Sequence, residues 1–373
     1  MNPAPDSIDA PFSMQWTHKL RFVDCAFNEG GALDSLLLEL QPLKILVVVD
    51  NGLAAAHQPF NESLRSWCSK TDSVCSGPVL VTGGEEAKNN FEVVDQILHE
   101  IHSFNVCRKS CVLVIGGGAV LDAVGFAASI AHRGIPIIRM PSTTLSQGDS
   151  GVGVKNGVNY FGKKNFIGVF DPPFAVLNDS SLLHTLDTKH WRAGLSEAIK
   201  VALIKDETLL NAVELNSEAL LQRDLEAMVS ILQRSAELHI RHITECGDPF
   251  EKLDARPLDF GHWAAHKLEQ LTNNELSHGD AVSIGLSIDL LCSVHLGHLS
   301  QEIAHRVITL LQNLGFPTSH PELTNPDLLE GIEEFRQHLG GPLTLLMLRG
   351  IEDPIDIHQL DYDVVRQVID ELM

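Results

Sequence analysis

Positive charge is scarce in this chain. Its 373 residues include 27 lysines and arginines against 49 aspartates and glutamates, which gives a formal net charge of -22. Such a balance repels phosphate polymers and anionic membranes, so it argues against nucleic-acid binding and against attachment to a membrane surface. An acidic protein that handles an anionic metabolite must concentrate its few cations in one place. Clustered lysines are therefore informative here.

Paired cysteine motifs and long apolar runs are also missing. The seven cysteines are scattered, odd in number and free of any CxxC pair, which argues against a disulfide framework and structural zinc and favours a reducing compartment. The segment from Met1 to Asp6 lacks the basic-then-apolar order of a signal peptide. No apolar run has the length of a membrane span. These absences predict a cytoplasmic enzyme that does not enter a membrane.

The first half of the sequence alternates between two patterns. Short β-branched runs occur at residues 44–50, 79–82, 111–115 and 135–139, and stretches with helical spacing separate them. The runs are apolar on both faces, as in buried parallel strands. Strand, helix and strand in repetition predict an α/β fold with a doubly wound, Rossmann-like parallel sheet, whose ligands collect at the carboxyl ends of the strands.

The second half has a different character. Beyond about Asn178 the β-rich runs stop, and most of the remaining sequence has helical spacing. The length also exceeds that of a usual single domain. We therefore predict two domains, an α/β domain at residues 1–178 and a mainly helical domain at residues 179–373.

A run of three glycines follows one of the predicted strands. Gly116, Gly117 and Gly118 come directly after Ile115 and open a predicted helix, which carries Asp122 near its start. Glycines at such a place let backbone N–H groups approach a pyrophosphate, and the helix dipole favours the anion. The run is not GxGxxG, so a dinucleotide site and a simple tight turn both remain open.

Lysines cluster in the segment that follows. Residues 155–165 form a glycine-rich loop with Lys155, Lys163 and Lys164, and residues 142–144 (Ser-Thr-Thr) and Asp149 precede it. In a protein this acidic, ammonium and amide donors in one loop indicate a phosphate site. The alternative is a solvated surface turn.

A third group offers ligands for a metal. Glu197, His262 and His278 supply the carboxylate and two imidazoles of an open catalytic zinc site, but among 18 histidines spacing alone does not select them. Glu197 and Lys200 lie three residues apart on one predicted helix face. His262 and His266 lie four apart, a spacing that suits either one shared metal ion or core packing.

Taken in order, these motifs resemble the dehydroquinate synthase family of sugar-phosphate cyclases. The similarity runs from about Asp50 to Val282. Its parts are Gly116-Gly117-Gly118 with Asp122, Pro141-Ser142-Thr143 with Asp149, Lys155 with Lys164-Asn165, Glu197-Ala198-Ile199-Lys200, Phe260-Gly261-His262, and His278-Gly279. One such motif is weak evidence, whereas six in the same order are specific.

The resemblance implies a role for each matched residue. Zinc or cobalt would be bound by Glu197, His262 and His278. NAD would be bound in the first domain by Asp50, Glu85, Lys88, Gly117, Gly118, Asp122, Ser142, Thr143 and Asp149, together with Thr185 and Leu186. Substrate and phosphate would be held in the second domain and the lysine loop by Lys155, Lys164, Asn165, Lys200, Arg241, Asp259 and His266. Arg133 would reach the phosphate in a partner's active site, which implies a homodimer.

The resemblance also implies a chemistry. In this family NAD transiently oxidises a hydroxyl of a sugar phosphate, phosphate leaves, the hydride returns, and an intramolecular aldol reaction closes a carbocycle. The metal ion polarises the hydroxyl and the developing carbonyl. Lysines stabilise oxyanions and the phosphate dianion.

Departures from the family pattern bear on the substrate. Ungapped alignment places Ala255 where dehydroquinate synthases have the arginine that binds the substrate carboxylate. Arg256 follows one residue later, and a one-residue shift of the loop could still bring it to the carboxylate. Loss of such a partner would cost on the order of 1.5–3 kcal/mol in binding. Asp259 replaces an asparagine and adds an anion that would repel a carboxylate. Arg241 stands where the family has lysine. These differences predict a seven-carbon ketose phosphate without a C1 carboxylate, such as sedoheptulose 7-phosphate, as in the valiolone-forming cyclases.

Two alternatives stay open. His266 fits dehydroquinate synthase better than the valiolone-forming cyclases, and residues 333–341 offer Arg336 and His338 in place of the family's C-terminal lysine. The chain is therefore also compatible with 3-dehydroquinate synthase of the shikimate pathway. An NAD-dependent polyol or glycerol-type dehydrogenase shares the architecture, although such an enzyme expels no phosphate and has no need of the lysine loop.

Overall fold

The computed structural model describes residues 8–89, 91–246, 250 and 258–373, except the side chains of residues 338 and 339. Its strands are β1 (Leu20–Val23), β2 (Lys44–Asp50), β3 (Val74–Cys75), β4 (Val79–Val81), β5 (Cys111–Gly116), β6 (Ile137–Pro141), β7 (Lys155–Tyr160), β8 (Lys163–Phe170), β9 (Ala175–Asp179), β10 (Leu345–Gly350) and β11 (Asp353–Ile357). Its helices are α1 (Ala32–Leu40), α2 (Asn51–Ala56), α3 (Gln58–Lys70), α4 (Glu92–Ser103), α5 (Gly118–Ile130), α6 (Thr188–Lys205), α7 (Glu207–Leu215), α8 (Ser217–Leu221), α9 (Leu225–Glu245), α10 (His262–Leu271), α11 (His278–His295), α12 (Gln301–Asn313), α13 (Glu330–Leu339) and α14 (Tyr362–Leu372). Short helical turns occur at Glu85–Lys88, Ala131–Arg133, Ser146–Ser150, Ser180–Leu183, Pro321–Thr324 and Pro326–Leu329.

The sheet of the first half is parallel, as the sequence predicted, and it has seven strands. The order is β1-β9-β6-β5-β2-β3, with β4 also paired to β2. Side chains alternate between two apolar clusters, so Val48 and Val114 face one layer of helices while Val47 and Leu113 face the other. The chain moves outward from β2 to β4 and returns to β5 on the other side of β2. The topological switch point, where such sheets bind ligands, therefore lies between the ends of β2 and β5.

The lysine-rich segment forms a β-hairpin, where the sequence predicted a loop. Strands β7 and β8 pair antiparallel, and the apolar side chains of Val158 and Ile167 pack on α5. Arg139 of β6 is fully buried and donates hydrogen bonds to the Gly153 carbonyl (2.8 Å), the Lys155 carbonyl (3.0 Å) and Asn156 Oδ1 (2.6 Å). The hairpin is thereby fixed to the sheet, which holds its lysines in place.

Helices dominate the chain after β9. Helices α6 to α14 and the small β10–β11 hairpin pack around one apolar cluster, whose centre is α11, buried at every position from Gly279 to Ser293. The predicted mainly helical second half is confirmed, whereas a domain limit between residues 178 and 179 stays a prediction. Within the described ranges, no helix combines the length and the apolarity needed to cross a membrane.

Helix α11 fixes the point at which α10 begins. Gly261, the N-cap of α10, has a left-handed φ of 79°, and a Cβ atom added to Gly285 of α11 would collide with the Gly261 carbonyl oxygen. One turn further along α11, Asp289 accepts hydrogen bonds from Gly261 N (2.7 Å) and Trp263 Nε1 (2.8 Å). His262 lies between these two anchored residues, so its position follows from the contact between the two helices.

A substitution at this contact tests its tightness. We expect Gly285→Ala to lower the free energy of unfolding by about 1–3 kcal/mol, because the added methyl group forces α10 away from α11. Gly77→Ala is the matched control, since a Cβ atom there meets nothing within 4 Å, and we expect a change of less than about 0.5 kcal/mol. Urea unfolding measures both values. Equal stabilities of the two variants would show that the helices do not need this close approach.

Asp289 makes the stability depend on pH. Burial raises the pKa of this carboxyl to about 7, although the N–H groups of Trp263 and Gly261 act in the opposite direction. The unfolded chain loses the same proton near pH 4. The stability that the buried, neutral carboxyl of Asp289 contributes is therefore fully present below about pH 4, and it is lost as the pH rises through about 7.

Comparison with Asp289→Asn isolates this effect. We expect the difference in unfolding free energy, wild type minus variant, to fall by on the order of 2 kcal/mol between about pH 5 and about pH 8. Urea unfolding at the two pH values gives the difference. The same substitution at the exposed Asp9 should show no such trend. A difference for Asp289→Asn that is independent of pH would contradict the raised pKa.

Candidate active site

The residues predicted to bind a nucleotide line one edge of the sheet. Because the strands are parallel, segments that follow β2, β4, β5, β6 and β9 meet at their common carboxyl edge. The structure places the predicted residues on these segments: Asp50, Glu85, Lys88, Gly117, Gly118, Asp122, Ser142, Thr143, Asp149, Thr185 and Leu186. Lys88 and Asp122 form a largely buried ion pair of 2.7 Å that links the turn after β4 to α5.

Side chains closely surround the backbone that follows β4 and β5. A Cβ atom on Gly118 would collide with Ser150 Oγ, and one on Gly83 would collide with the carboxylate of Asp50. The N-cap of α5, Gly117, offers no side-chain hydrogen bond to the first turn, so the first N–H groups of α5 are available to an anion. Bare backbone at a helix N-terminus beside the switch point fits the pyrophosphate of a dinucleotide.

Three helices bring the predicted metal ligands together. Glu197 of α6, His262 of α10 and His278 of α11 each offer a ligand atom, and these atoms lie within 4.8 Å of one another. Glu197 Oε1 is 2.9 Å from His278 Nε2 and 3.4 Å from His262 Nε2. Two imidazoles and one carboxylate at this separation fit a divalent ion such as zinc or cobalt, with a coordination position left for a substrate oxygen.

A buried ion pair supports the carboxylate of this cluster. Lys200 lies one turn after Glu197, and its Nζ is 2.5 Å from Glu197 Oε2 and 3.6 Å from Asp149 Oδ2. Burial acts to raise the pKa of Glu197, but Lys200 and His262 outweigh it and hold the pKa well below its usual value. Burial acts to lower the pKa of Lys200, and Glu197 and Asp149 raise it instead. Both groups are therefore charged at neutral pH.

Helix α9 contributes a histidine that the sequence reasoning missed. His239 Nδ1 lies 2.8 Å from Asp149 Oδ1, which joins His239 through Asp149 to Lys200. Arg241, the residue predicted from α9, forms an ion pair of 2.8 Å with Glu237 on the exposed face. Two positions along a helix correspond to about 200° of rotation, so His239 and Arg241 face opposite sides. No sequence signal selects His239 among the histidines of the chain.

Glu269 is a second residue that the sequence reasoning missed. It is 2% exposed, accepts a hydrogen bond from Lys164 Nζ at 2.6 Å and lies 3.3 Å from His278 Nδ1. With His266 and His278 it forms another group of possible ligands within 4.8 Å. His262, His266 and Glu269 follow one another at i, i+4 and i+7, so the helical spacing of α10 was a signal that could have identified it.

His266 and His278 differ in the direction in which their pKa values are shifted. Burial and the neighbouring His262 hold the pKa of His266 well below its usual value, so this ring is neutral. Burial acts to lower the pKa of His278, but Glu269 and Glu197 outweigh it and raise the pKa to about 10. The rings of His266 and His278 are stacked, with centroids 6.2 Å apart.

The predicted phosphate residues are only partly brought together. Lys164 enters the cluster and pairs with both Glu269 (2.6 Å) and Glu85 (2.9 Å). Lys155 begins β7, and Asn165 is exposed on β8, where its backbone N–H donates to Asn159 Oδ1.

Several predicted residues lie elsewhere. Arg133 is exposed at the far end of α5, about 20 Å of helix from Gly118, so its proposed role in a partner's site stays a prediction. Arg336 pairs with Glu333 on an exposed part of α13. Ala255, Arg256 and the side chain of His338 lie outside the described residues.

Known proteins resemble this chain over most of its length. The 3-dehydroquinate synthase N-terminal family matches residues 78–193, and the 3-dehydroquinate synthase C-terminal family matches residues 194–336. A 2-epi-valiolone synthase of Actinosynnema mirum is 32% identical over 324 residues, which cover 85% of this chain and 82% of that protein. A 3-dehydroquinate synthase of Thermoanaerobacter pseudethanolicus is 32% identical over 310 residues, which cover 83% of this chain and 85% of that protein.

A solved structure extends the similarity over nearly the whole chain. The 2-epi-5-epi-valiolone synthase ValA of Streptomyces hygroscopicus subsp. jinggangensis, with NAD+ and Zn2+ bound, superposes with a TM-score of 0.89 at 27% identity. The superposition covers 98% of this chain and 99% of ValA. Because the family matches and the relatives each span most of the sequence, the chain belongs to the 3-dehydroquinate synthase family of sugar-phosphate cyclases, as its motifs predicted.

Proposed function

We propose that this chain is an NAD- and metal-dependent cyclase that converts sedoheptulose 7-phosphate, a ketose phosphate without a C1 carboxylate, into a carbocycle with release of phosphate. The reaction class follows from the family. The choice of substrate rests on one observation, the negative charge that Asp259 adds beside Lys200. 3-Dehydroquinate synthase, whose substrate carries a carboxylate, is the second candidate because relatives of both kinds are equally similar to this chain.

The backbone of Asp259 contacts the first residue of α10. Its carbonyl accepts a hydrogen bond from His262 N at 2.9 Å. Its carboxylate adds to the effects of Glu197 and Asp149, which raise the pKa of Lys200 against the effect of burial. The asparagine that the family has at this position would be neutral, so Asp259 makes the surroundings of Lys200 more negative.

The charges around the cluster favour a substrate with few anionic groups. In the described part of the chain, Lys164 and Lys200 are the lysines that form ion pairs with the cluster's carboxylates. His278 also pairs with Glu197 and Glu269, but its imidazole would be neutral as a metal ligand. The carboxylates are Glu85, Asp149, Glu197, Asp259 and Glu269. Even a divalent ion leaves this set net negative. Two unit charges about 4 Å apart interact by about 4 kcal/mol near a protein surface, so an additional substrate carboxylate would be strongly disfavoured.

NAD and a divalent ion, zinc or cobalt, are the cofactors in this proposal. The bare backbone at the start of α5 supports the first, and the ligand set of Glu197, His262 and His278 supports the second; ValA holds both NAD+ and Zn2+. When bound, NAD would supply hydride transfer at the substrate carbon that carries a hydroxyl, and the metal ion would polarise that hydroxyl.

The side chains of the cluster supply the remaining steps. Lys200 is 2% exposed and fixed between two carboxylates, so its ammonium can stabilise an oxyanion without reorganisation. His266 has a neutral ring, which can accept a proton and return it beside the leaving phosphate. Lys164 provides the charge for the phosphate. The homodimer, the role of Arg133 and the cytoplasmic location stay predictions from the sequence.

Phosphate release from two substrates tests the proposal. Purified protein with NAD and zinc or cobalt is incubated separately with sedoheptulose 7-phosphate and with 3-deoxy-arabino-heptulosonate 7-phosphate. We expect inorganic phosphate to appear only with the first, because the second adds a carboxylate to a pocket that is already negative. Release only from the second would identify a 3-dehydroquinate synthase. No release from either would contradict the cyclase proposal.

The variant Asp259→Asn shows whether the negative charge of Asp259 determines which of the two substrates is preferred. We expect it to raise kcat/KM for the carboxylate-bearing substrate relative to the other by about tenfold, equivalent to about 1.4 kcal/mol. Glu237→Gln is the matched control, since it removes a carboxylate from the exposed face of α9 and should leave the ratio unchanged. An unchanged ratio in Asp259→Asn would mean that other residues select the substrate.

A further inference from the structure

One buried carboxylate contacts both halves of the site. Both oxygens of Glu269 lie 3.3 Å from His278 Nδ1, and Oε1 also accepts a hydrogen bond from Lys164 Nζ at 2.6 Å. On the opposite side of its ring, His278 Nε2 lies 2.9 Å from Glu197 Oε1. Glu269 therefore connects a proposed metal ligand to the lysine of the proposed phosphate site.

The contact with His278 suits an imidazole that binds a metal ion. A ring that ligates through Nε2 carries its proton on Nδ1, and a carboxylate acceptor there fixes the tautomer and orientation of the ring and makes it a better ligand. Glu269 is buried, whereas the His278 side chain is 28% exposed. The buried carboxylate therefore anchors the more accessible imidazole.

A phosphate bound at Lys164 would weaken the contact between Lys164 and Glu269. Lys164 is held between Glu269 and Glu85 at 2.6 and 2.9 Å, with 16% of its side chain exposed. Burial acts to lower the pKa of Lys164, but the two carboxylates raise it, so the group is a cation. A phosphate dianion competes with both carboxylates for this ammonium. Once Lys164 turns to the phosphate, Glu269 becomes a stronger acceptor for the His278 N–H group.

We propose that Glu269 is a positioning residue that couples the metal site to the phosphate site. It orients His278 for the metal ion and releases Lys164 to the phosphate, and this release strengthens its hold on His278. The phosphate half rests on the proposed function, whereas the metal half does not. Since coupling between two binding sites is reciprocal, phosphate tightens metal binding by the same factor by which the metal tightens phosphate binding.

Zinc affinity of the full-length protein tests the coupling without any turnover. Competition with a chelator gives the dissociation constant for Zn2+, with and without inorganic phosphate as the probe. We expect one zinc ion per chain, about 10- to 100-fold weaker binding in Glu269→Gln, and binding in wild type that phosphate tightens by about fivefold or more. Phosphate should have no such effect in Glu269→Gln.

Two further variants complete the experiment. Lys164→Met keeps the contact between Glu269 and His278, so it should lose the phosphate effect while its zinc affinity stays closer to wild type than that of Glu269→Gln. Glu334→Gln is the control, because Glu334 pairs with Lys267 (2.8 Å) on the neighbouring face of α10. It should leave both zinc affinity and the phosphate effect unchanged.

The outcomes separate this inference from the proposed function. Equal zinc affinity in wild type and Glu269→Gln would overturn the inference, as would a second zinc ion lost with Glu269, which would make Glu269 a ligand in its own right. If Glu269→Gln does not fold, Lys164→Met decides, since a phosphate effect that persists there overturns the coupling and its loss supports it. Failure to release phosphate from either heptulose phosphate would contradict the proposed function and leave the zinc result standing.

Discussion

The ion pair between Glu197 and Lys200 is the interaction on which the active site depends. Glu197 is 1% exposed and Lys200 is 2% exposed, and a carboxylate removed from water at this depth requires close cationic partners and hydrogen-bond donors. Lys200 supplies the first at 2.5 Å, and the imidazoles of His262 and His278 supply the second. The same carboxylate is available to a divalent ion, so the packing that makes its burial tolerable also assembles the proposed metal site.

The helical half of the chain is arranged so that three helices meet at this carboxylate. Helix α11 starts at His278, where Ser277 caps it. Its residues Gly285 and Asp289 contact Gly261, and this contact determines where α10 begins. A proposed metal ligand is thus the first residue of both α10 and α11. The parallel sheet contributes the other wall, because the turn after β6 carries Asp149 to Lys200. The proposed nucleotide and metal sites therefore meet where the sheet and the helical half are in contact.

The fold could largely be predicted from the sequence because buried parallel strands are apolar on both faces. β2 and β5 were visible for this reason, whereas β1 was not, since its Leu20–Val23 segment includes the exposed residues Arg21 and Phe22. The hairpin of β7 and β8 was taken for a loop because lysines and glycines dominate it. Its strand character comes from the packing of Val158 and Ile167 on α5, a contact that local composition does not reveal.

The part of the site at the edge of the sheet was easier to predict from the sequence than the part formed by the helices. Residues that follow parallel strands must share one edge of the sheet, so the glycine run and the segment of Ser142 could be placed together by topology. The proposed metal ligands come from three helices, and only the resemblance to a known family selected the two histidines among 18. His239 and Arg241 show the limit, because helical phase decides which of them meets Asp149.

Whether the redox step is internal to the reaction is the central question, and simultaneous measurement of phosphate release and NADH absorbance with sedoheptulose 7-phosphate answers it. We predict phosphate release with no net NADH, whereas NADH that accumulates in proportion to the substrate consumed would show a net oxidoreductase and contradict the cyclase proposal.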